Sequence, residues 1–228
     1  MKLKLIRRKK ETSDVESFIF SPAESVTWKA GQYIHYVLHH EPTDDRGSDR
    51  WFTIASAPFE KEITITTKLA NEKGSTFKSA LCNLKIGKSI EMTGIEGDFT
   101  IEDPAQECIF VAGGIGITPF YSILKEADHA KTKLHVTLLY GNRNHSIAYK
   151  EELEQFAKNN PNIIIHHIIS PERIDERLIR KWVPDLQKPI FYISGPEGMV
   201  DSLGKKLIKM DISEDHIKQD FFPGYPDE

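Results

Sequence analysis

Cysteine is scarce in this chain. Cys82 and Cys108 are the only two in 228 residues, which rules out a four-cysteine zinc or iron–sulfur site. Both sit in apolar settings, where a thiol packs as a small hydrophobe. A positive excess is also missing: 30 Lys and Arg stand against 34 Asp and Glu, a net charge of −4, so no global field favours nucleic acid. No apolar run is long enough to span a membrane, because the longest is broken by glycines. The N-terminal MKLKLIRRKK is basic but lacks the apolar centre of a signal peptide, and a cytoplasmic location is expected. His39/His40 and His166/His167 are adjacent pairs that a strand sends to opposite faces, so no metal site is expected. The Ser, His and Asp residues show no nucleophile-elbow pattern.

What is present describes a globular protein long enough for one large or two ordinary domains, with 39% apolar and 28% charged residues. Residues 108–127, CIFVAGGIGITPFYSILKEA, organise the chain. An apolar run to Ala112 reads as a buried parallel strand. Gly113, Gly114 and Gly116 form a tight turn. Thr118 then reads as a helix cap, with Pro119 at the first helical position. A strand, a glycine turn and a helix start bring bare backbone N–H groups against a phosphate. A tight turn without a ligand uses the same residues, so the motif needs support from elsewhere.

Residues 1–102 read as short strands at 2–6, 15–20, 32–38 and 62–67, with turns at glycine and proline and one helix over 76–84. This spacing predicts a small antiparallel barrel. Three stretches in it are candidates for chemistry. Arg50-Trp51-Phe52-Thr53 lies between an acidic loop and the strand expected at Ile54-Ala55. An arginine grips phosphate, an aromatic ring stacks on a planar cofactor, and a hydroxyl bonds a ring nitrogen. Period two puts Arg50 and Phe52 on one face and Thr53 on the other, unless the strand twists at its end. Gly74-Ser75-Thr76 at a helix start is either a second phosphate cradle or a plain N-cap. Residues 94–100 read as a structural loop with Phe99 in the core.

After a polar linker at 102–105, residues 105–228 alternate strand and helix. Strands are expected at 133–140, 162–169, 189–194 and 216–222, and helices at 148–157, 175–182 and 200–209. This predicts a doubly wound parallel α/β sheet. Ligands in such sheets lie beyond the carboxyl ends of the strands. Three loops occupy such ends: the glycine turn, residues 141–144 and residues 194–199.

Together these residues resemble the ferredoxin–NADP reductase-like flavoenzymes, an FAD-binding barrel followed by an NAD(P)-binding domain. The resemblance rests on Arg50 to Thr53, Gly74 to Thr76, residues 94–99, Gly113 to Pro119 and Gly195-Pro196-Glu197-Gly198-Met199, in family order. It implies FAD and NAD(P)H as cofactors. Arg50 would hold the FAD pyrophosphate, Phe52 would lie on or beside the flavin ring with Trp51 next to it, and Thr53 would bond the reactive nitrogen. Thr66 and Lys68 would line the ribityl and diphosphate, with Gly74, Ser75 and Thr76 cradling the latter. Gly113, Gly114, Gly116 and Thr118 would receive the pyridine nucleotide, flanked by Gly195 and Met199. Asn142 and Arg143 lie where the family reads the adenosine ribose. Arg143 can pair with a 2′-phosphate, favouring NADPH, or can be a solvated loop residue or stack on adenine. Phe52 replaces the usual tyrosine, and Ser194 stands where many members have cysteine. Either Phe222 or Tyr225 can cover the flavin, or both can be core.

The implied activity is hydride transfer from NAD(P)H to FAD, with Thr53 and Ser194 at the reacting rings. The two domains are expected to meet at a cleft where those rings lie face to face. Electrons would pass to a separate acceptor: a ferredoxin, flavodoxin, haem protein or free flavin. The alternative is an FAD-binding subunit active only within a larger complex.

Overall fold

The alternating pattern of the first hundred residues resolves into six antiparallel strands. These are β1 (Lys2–Lys10), β2 (Val15–Pro22), β3 (Tyr33–Val37), β4 (Asp49–Thr53), β5 (Ile63–Lys68) and β6 (Ser89–Glu96), with helix α1 (Thr76–Asn83) before β6. The computed structural model describes residues 1–69 and 74–222. It divides into two compact units, Met1–Thr100 and Ile101–Glu228.

In the first unit the strand order is β4-β3-β6-β1-β2-β5. Period two sends Leu3 and Leu5 inward and leaves Lys2 and Lys4 exposed. Phe18, Phe20, Ile34, Ile65 and Ile90 join them in one core. Phe77 and Leu81, one helical turn apart on α1, plug that core and are fully buried. The sheet curls into a half-barrel. Its edge strands β4 and β5 share no ladder, but just past β4 the Ala55 N–H donates to the Thr64 carbonyl at 2.9 Å.

Two local expectations shift. Arg50 to Thr53 is itself the strand, paired with β3, and Ile54-Ala55 lies beyond it. Gly94 and Glu96 remain in β6 opposite His35 and Tyr33, so the loop begins only at Gly97, where φ is 100°. Cross-strand pairing held these residues extended where glycine had suggested a break.

The second unit contains β7 (Glu107–Gly113), α2 (Thr118–Ala130), β8 (His135–Asn142), α3 (Lys150–Asn159), β9 (Ile163–Ile169), α4 (Glu176–Trp182), β10 (Ile190–Pro196), α5 (Glu197–Lys209) and β11 (Ile217–Phe222). The sheet order is β11-β10-β7-β8-β9, and every pair is parallel. Alternate residues of β7 feed opposite faces. Ile109 and Val111 pack with Leu178 of α4 and Leu203 and Leu207 of α5. Phe110 stacks on Phe120 of α2 at 4.5 Å between ring centroids. Helices therefore cover both faces, as a parallel sheet requires. The chain runs outward from β7 to β9 and then returns to place β10 on the other side of β7. That reversal sets the loops after β7 and β10 side by side, where ligands bind in such sheets.

Four helix starts differ from expectation, α4 by a single residue because Asp175 is its N-cap. A 3-10 turn over Gly114–Ile117 precedes α2, so Thr118 is already helical and its hydroxyl donates to the Ile115 carbonyl at 3.2 Å. It is therefore not the N-cap. Helix α3 begins two residues late because Tyr149 holds a left-handed φ of 60°. Helix α5 begins three residues early, at Glu197, and takes Met199 into its first turn.

Candidate functional site

In the first unit, Arg50 and Phe52 share one face of β4 and Trp51 takes the other. Phe52 lies 5.8 Å from the Phe77 ring and 6.0 Å from Tyr36. Trp51 is turned outward, 46% exposed, over His35 at 4.5 Å, so its ring lies away from the face that carries Arg50 and Phe52. Arg50 Nη2 donates to Asp44 Oδ1 at 3.0 Å, and Nη1 donates to the carbonyls of Arg46 and Gly47. The Thr76 N–H at the start of α1 donates to Asp44 Oδ2 at 3.0 Å. Arg50 and the α1 N-terminus thus converge on one anion, the Asp44 carboxylate. The Thr76 N–H foremost, aided by the Arg46 N–H and guanidinium, holds the Asp44 carboxyl below the usual range against desolvation, which is the second-largest influence and opposes them.

The neighbours of this cradle are differently engaged. Ser75 caps α1 through its hydroxyl, accepting from Lys78 N–H at 3.2 Å. The Thr76 hydroxyl accepts from Asp44 N–H and lies 3.0 Å from His40 Nε2. Gly74 sits just before the cap. Thr66 is buried with its hydroxyl 2.7 Å from Ser17 Oγ, leaving its backbone as what it can offer a ligand, and Lys68 ends β5 half-buried opposite Val15. Thr53 is buried, 4% exposed, yet its Oγ1 has no hydrogen-bond partner. An enclosed hydroxyl without a partner is costly unless something bonds it. It fits a ligand nitrogen, so the residues present suit a flavin.

In the second unit, backbone proximity defines the site. A Cβ on Gly116 would lie 2.7 Å from Gly195 Cα and closer still to the Ser194 carbonyl. A Cβ on Gly113 would strike the Met199 side chain, and one on Gly195 would lie 3.2 Å from Gly113 N. Gly114 needs glycine for another reason: its φ is +53°, and the space around it is open. The result is a bare backbone ridge leading into α2, suited to a dinucleotide phosphate. Gly113, Gly114, Gly116, Thr118, Gly195 and Met199 are therefore brought together. Asn142 ends β8, beyond the glycine turn across the β7–β8 pair, and Arg143 is exposed in the following loop.

Ser194 is fully buried at the end of β10, and its Oγ is unpartnered. Its register partner on β11 is Asp220. Burial pushes the Asp220 carboxyl up to about 7, and the Ser194 hydroxyl opposes this only in part. Neither Ser194 Oγ nor Asp220 Oδ2 completes a hydrogen bond of ordinary geometry. A carboxyl poised near neutrality can exchange a proton at working pH. Asp220 was missed in the sequence, where it is one acid among β-formers in IKQDFF; the only signal was its place at a strand's carboxyl end. Asp44 was passed over as part of an acidic loop. The Phe222 backbone pairs with Pro196, while Tyr225 lies outside the described residues. Cys108 is inert, its thiol pushed up to about 12 by burial. Among the described residues, no group of three or more His, Cys, Asp or Glu could hold a metal ion. No helix among them is long and apolar enough to cross a membrane.

Comparison with known proteins agrees with this geometry. The family model of the oxidoreductase NAD-binding domain matches residues 110–205. A flavohemoprotein of Pseudomonas putida is 26% identical over 96% of this chain and 58% of its own length. The chain thus spans under two thirds of the flavohemoproteins it matches. The FAD/NAD-binding domain of a nitric oxide dioxygenase from Vibrio cholerae superposes with a TM-score of 0.83 at 21% identity, covering 97% of this chain and 98% of that one. Ferredoxin-NADP+ reductase from Plasmodium falciparum superposes with a TM-score of 0.84 at 21% identity, covering 97% and 95%. The chain therefore shares the fold of ferredoxin-NADP+ reductase, and its residues 110–205 match the family model of the oxidoreductase NAD-binding domain.

Proposed function

We propose that this chain is an NAD(P)H-dependent flavin oxidoreductase that hands electrons to a separate acceptor. Two sets of observations carry this reading: in the second unit a bare glycine ridge entering α2, and in the first an Arg50–Thr76 anion seat and a buried, unpartnered Thr53 hydroxyl. When bound, the flavin supplies the redox chemistry, taking two electrons from a reduced nicotinamide and releasing them singly or in pairs. The chain's own residues bind and orient. Arg50 and the α1 start hold the flavin diphosphate with Gly74, Ser75 and Thr76, and Phe52 supplies an aromatic surface. Thr53 Oγ1 offers the flavin ring a hydrogen bond in a site closed to water. Gly113, Gly114 and Gly116 present N–H groups to the pyridine nucleotide, with Thr118, Gly195 and Met199 shaping its bed. Ser194 and Asp220 can hold a proton there near neutral pH. Asn142 and Arg143 meet the adenosine end, and Arg143 leans the choice toward NADPH.

A haem protein is the acceptor class best supported, because flavohemoproteins match nearly the whole chain while extending well beyond it. The same observation favours a second reading, a reductase that works only inside a larger complex. The test is spectroscopic. Purified protein given FAD should show bound-flavin absorbance that bleaches on adding NADPH or NADH without oxygen. Protein that binds no flavin refutes the proposal. Reduction of artificial acceptors by the isolated chain separates the two readings.

A further inference from the structure

Arg50 and the α1 N-terminus already hold an anion that belongs to the chain itself. Asp44 Oδ1 accepts from Arg50 Nη2 and Oδ2 from Thr76 N–H, each at 3.0 Å. The Asp44 N–H donates back to the Thr76 hydroxyl at 3.0 Å, and Arg46 binds the same carboxylate through its N–H and its guanidinium. The two carboxylate oxygens bridge a guanidinium and a helix start, as two oxygens of a phosphate would. Of the other acids near the seat, Asp49 is turned to His35 Nε2 at 2.6 Å. Among the described residues, Arg46 and Arg50 are the cations that contact Asp44 directly.

We propose that Asp44 is a built-in stand-in for the flavin diphosphate, which must vacate the seat before FAD can occupy it. The inference rests on the flavin reading above and adds to it a residue that sets flavin selectivity. The diphosphate and the Asp44 carboxylate need the same donors, and one Arg50 Nη2 and one Thr76 N–H cannot serve both. FAD affinity is therefore reduced by the work of displacing Asp44. Riboflavin, which has no phosphate, binds without meeting it. Asp44 narrows the gap between FAD and riboflavin and favours flavin exchange over permanent retention.

The test measures dissociation constants of FAD, FMN and riboflavin by flavin fluorescence on the full chain and on Asp44→Asn. Asparagine keeps an acceptor for Thr76 N–H but carries no charge. Asp44→Ser repeats the comparison if the first variant does not fold, with far-ultraviolet circular dichroism as the check. FAD should tighten about two- to fivefold, the range open to a surface ion pair, with riboflavin unchanged and FMN between. An unchanged or smaller ratio of riboflavin to FAD dissociation constants overturns the inference while leaving the flavin reading intact. Binding of none of the three flavins to either protein overturns both.

Discussion

Gly116→Ala separates two reasons for which a chain spends a glycine. The φ of Gly116 is not in the left-handed region; its neighbours exclude a side chain. An added Cβ would stand 2.5 Å from Ser194 C and 2.7 Å from Gly195 Cα. Carbon atoms rest at about 3.5–4.0 Å, so the 3-10 turn and the end of β10 must separate by close to an ångström. All the opposing atoms are backbone, and no rotamer change relieves them. Overpacking a well-filled interior costs about 1–3 kcal/mol, and a backbone-on-backbone clash sits at the upper end. Restricting the unfolded chain returns about 0.4–1 kcal/mol. The net loss is about 2 kcal/mol, or roughly 6–10 °C in melting temperature for a unit of this size. Gly114→Ala is the control. Its φ of +53° costs alanine about 1–2 kcal/mol, but nothing stands within 4 Å of the new methyl group. Scanning calorimetry with pyridine-nucleotide titration should show Gly116→Ala losing both stability and nucleotide affinity, and Gly114→Ala losing less stability. A Gly116→Ala protein that melts within a degree of the parent, or above Gly114→Ala, refutes the close-approach argument.

Three further outcomes are expected. Asp220 is ordinarily near 3.8 and is raised to about 7 in the fold, so the folded state binds its proton more tightly than the unfolded chain. The parent should therefore lose stability as pH rises from about 4 to 7 and level off above, by about 2–4 kcal/mol after allowance for partial exposure. Asp220→Asn removes that slope in melts across the range, and an equal stability difference at pH 4 and pH 8 contradicts the assignment. Arg50→Ala should weaken FAD about ten- to a hundredfold, corresponding to about 1.5–3 kcal/mol for a charged hydrogen bond, and leave riboflavin unaffected; equal losses for both flavins would place Arg50 elsewhere. Tyr36 is fully buried with an unpartnered hydroxyl, so Tyr36→Phe should match the parent or gain up to about 1 kcal/mol in urea unfolding, and a clear loss would reveal a partner for that hydroxyl.

Much of this was legible in the chain itself. Alternation in KLKLI and EITITT dictated half-buried strands, because period two matches the pleat. An apolar run ending in three glycines, followed by Thr118-Pro119, dictated a buried strand turning into a helix. Those signals are local, carried by residues that touch their own neighbours. Tertiary structure decided the rest. The return of β10 to the far side of β7 put Ser194 against Gly116, residues seventy-eight positions apart in sequence. Pairing of β11 with β10 enclosed Oδ2 of the half-buried Asp220 and raised its proton affinity. The 3-10 turn took the cap position from Thr118, and Asp44 reached Thr76 across thirty-two residues to fill an anion seat. Burial and electrostatic contact depend on which distant segments become adjacent, and no local pattern encodes that adjacency.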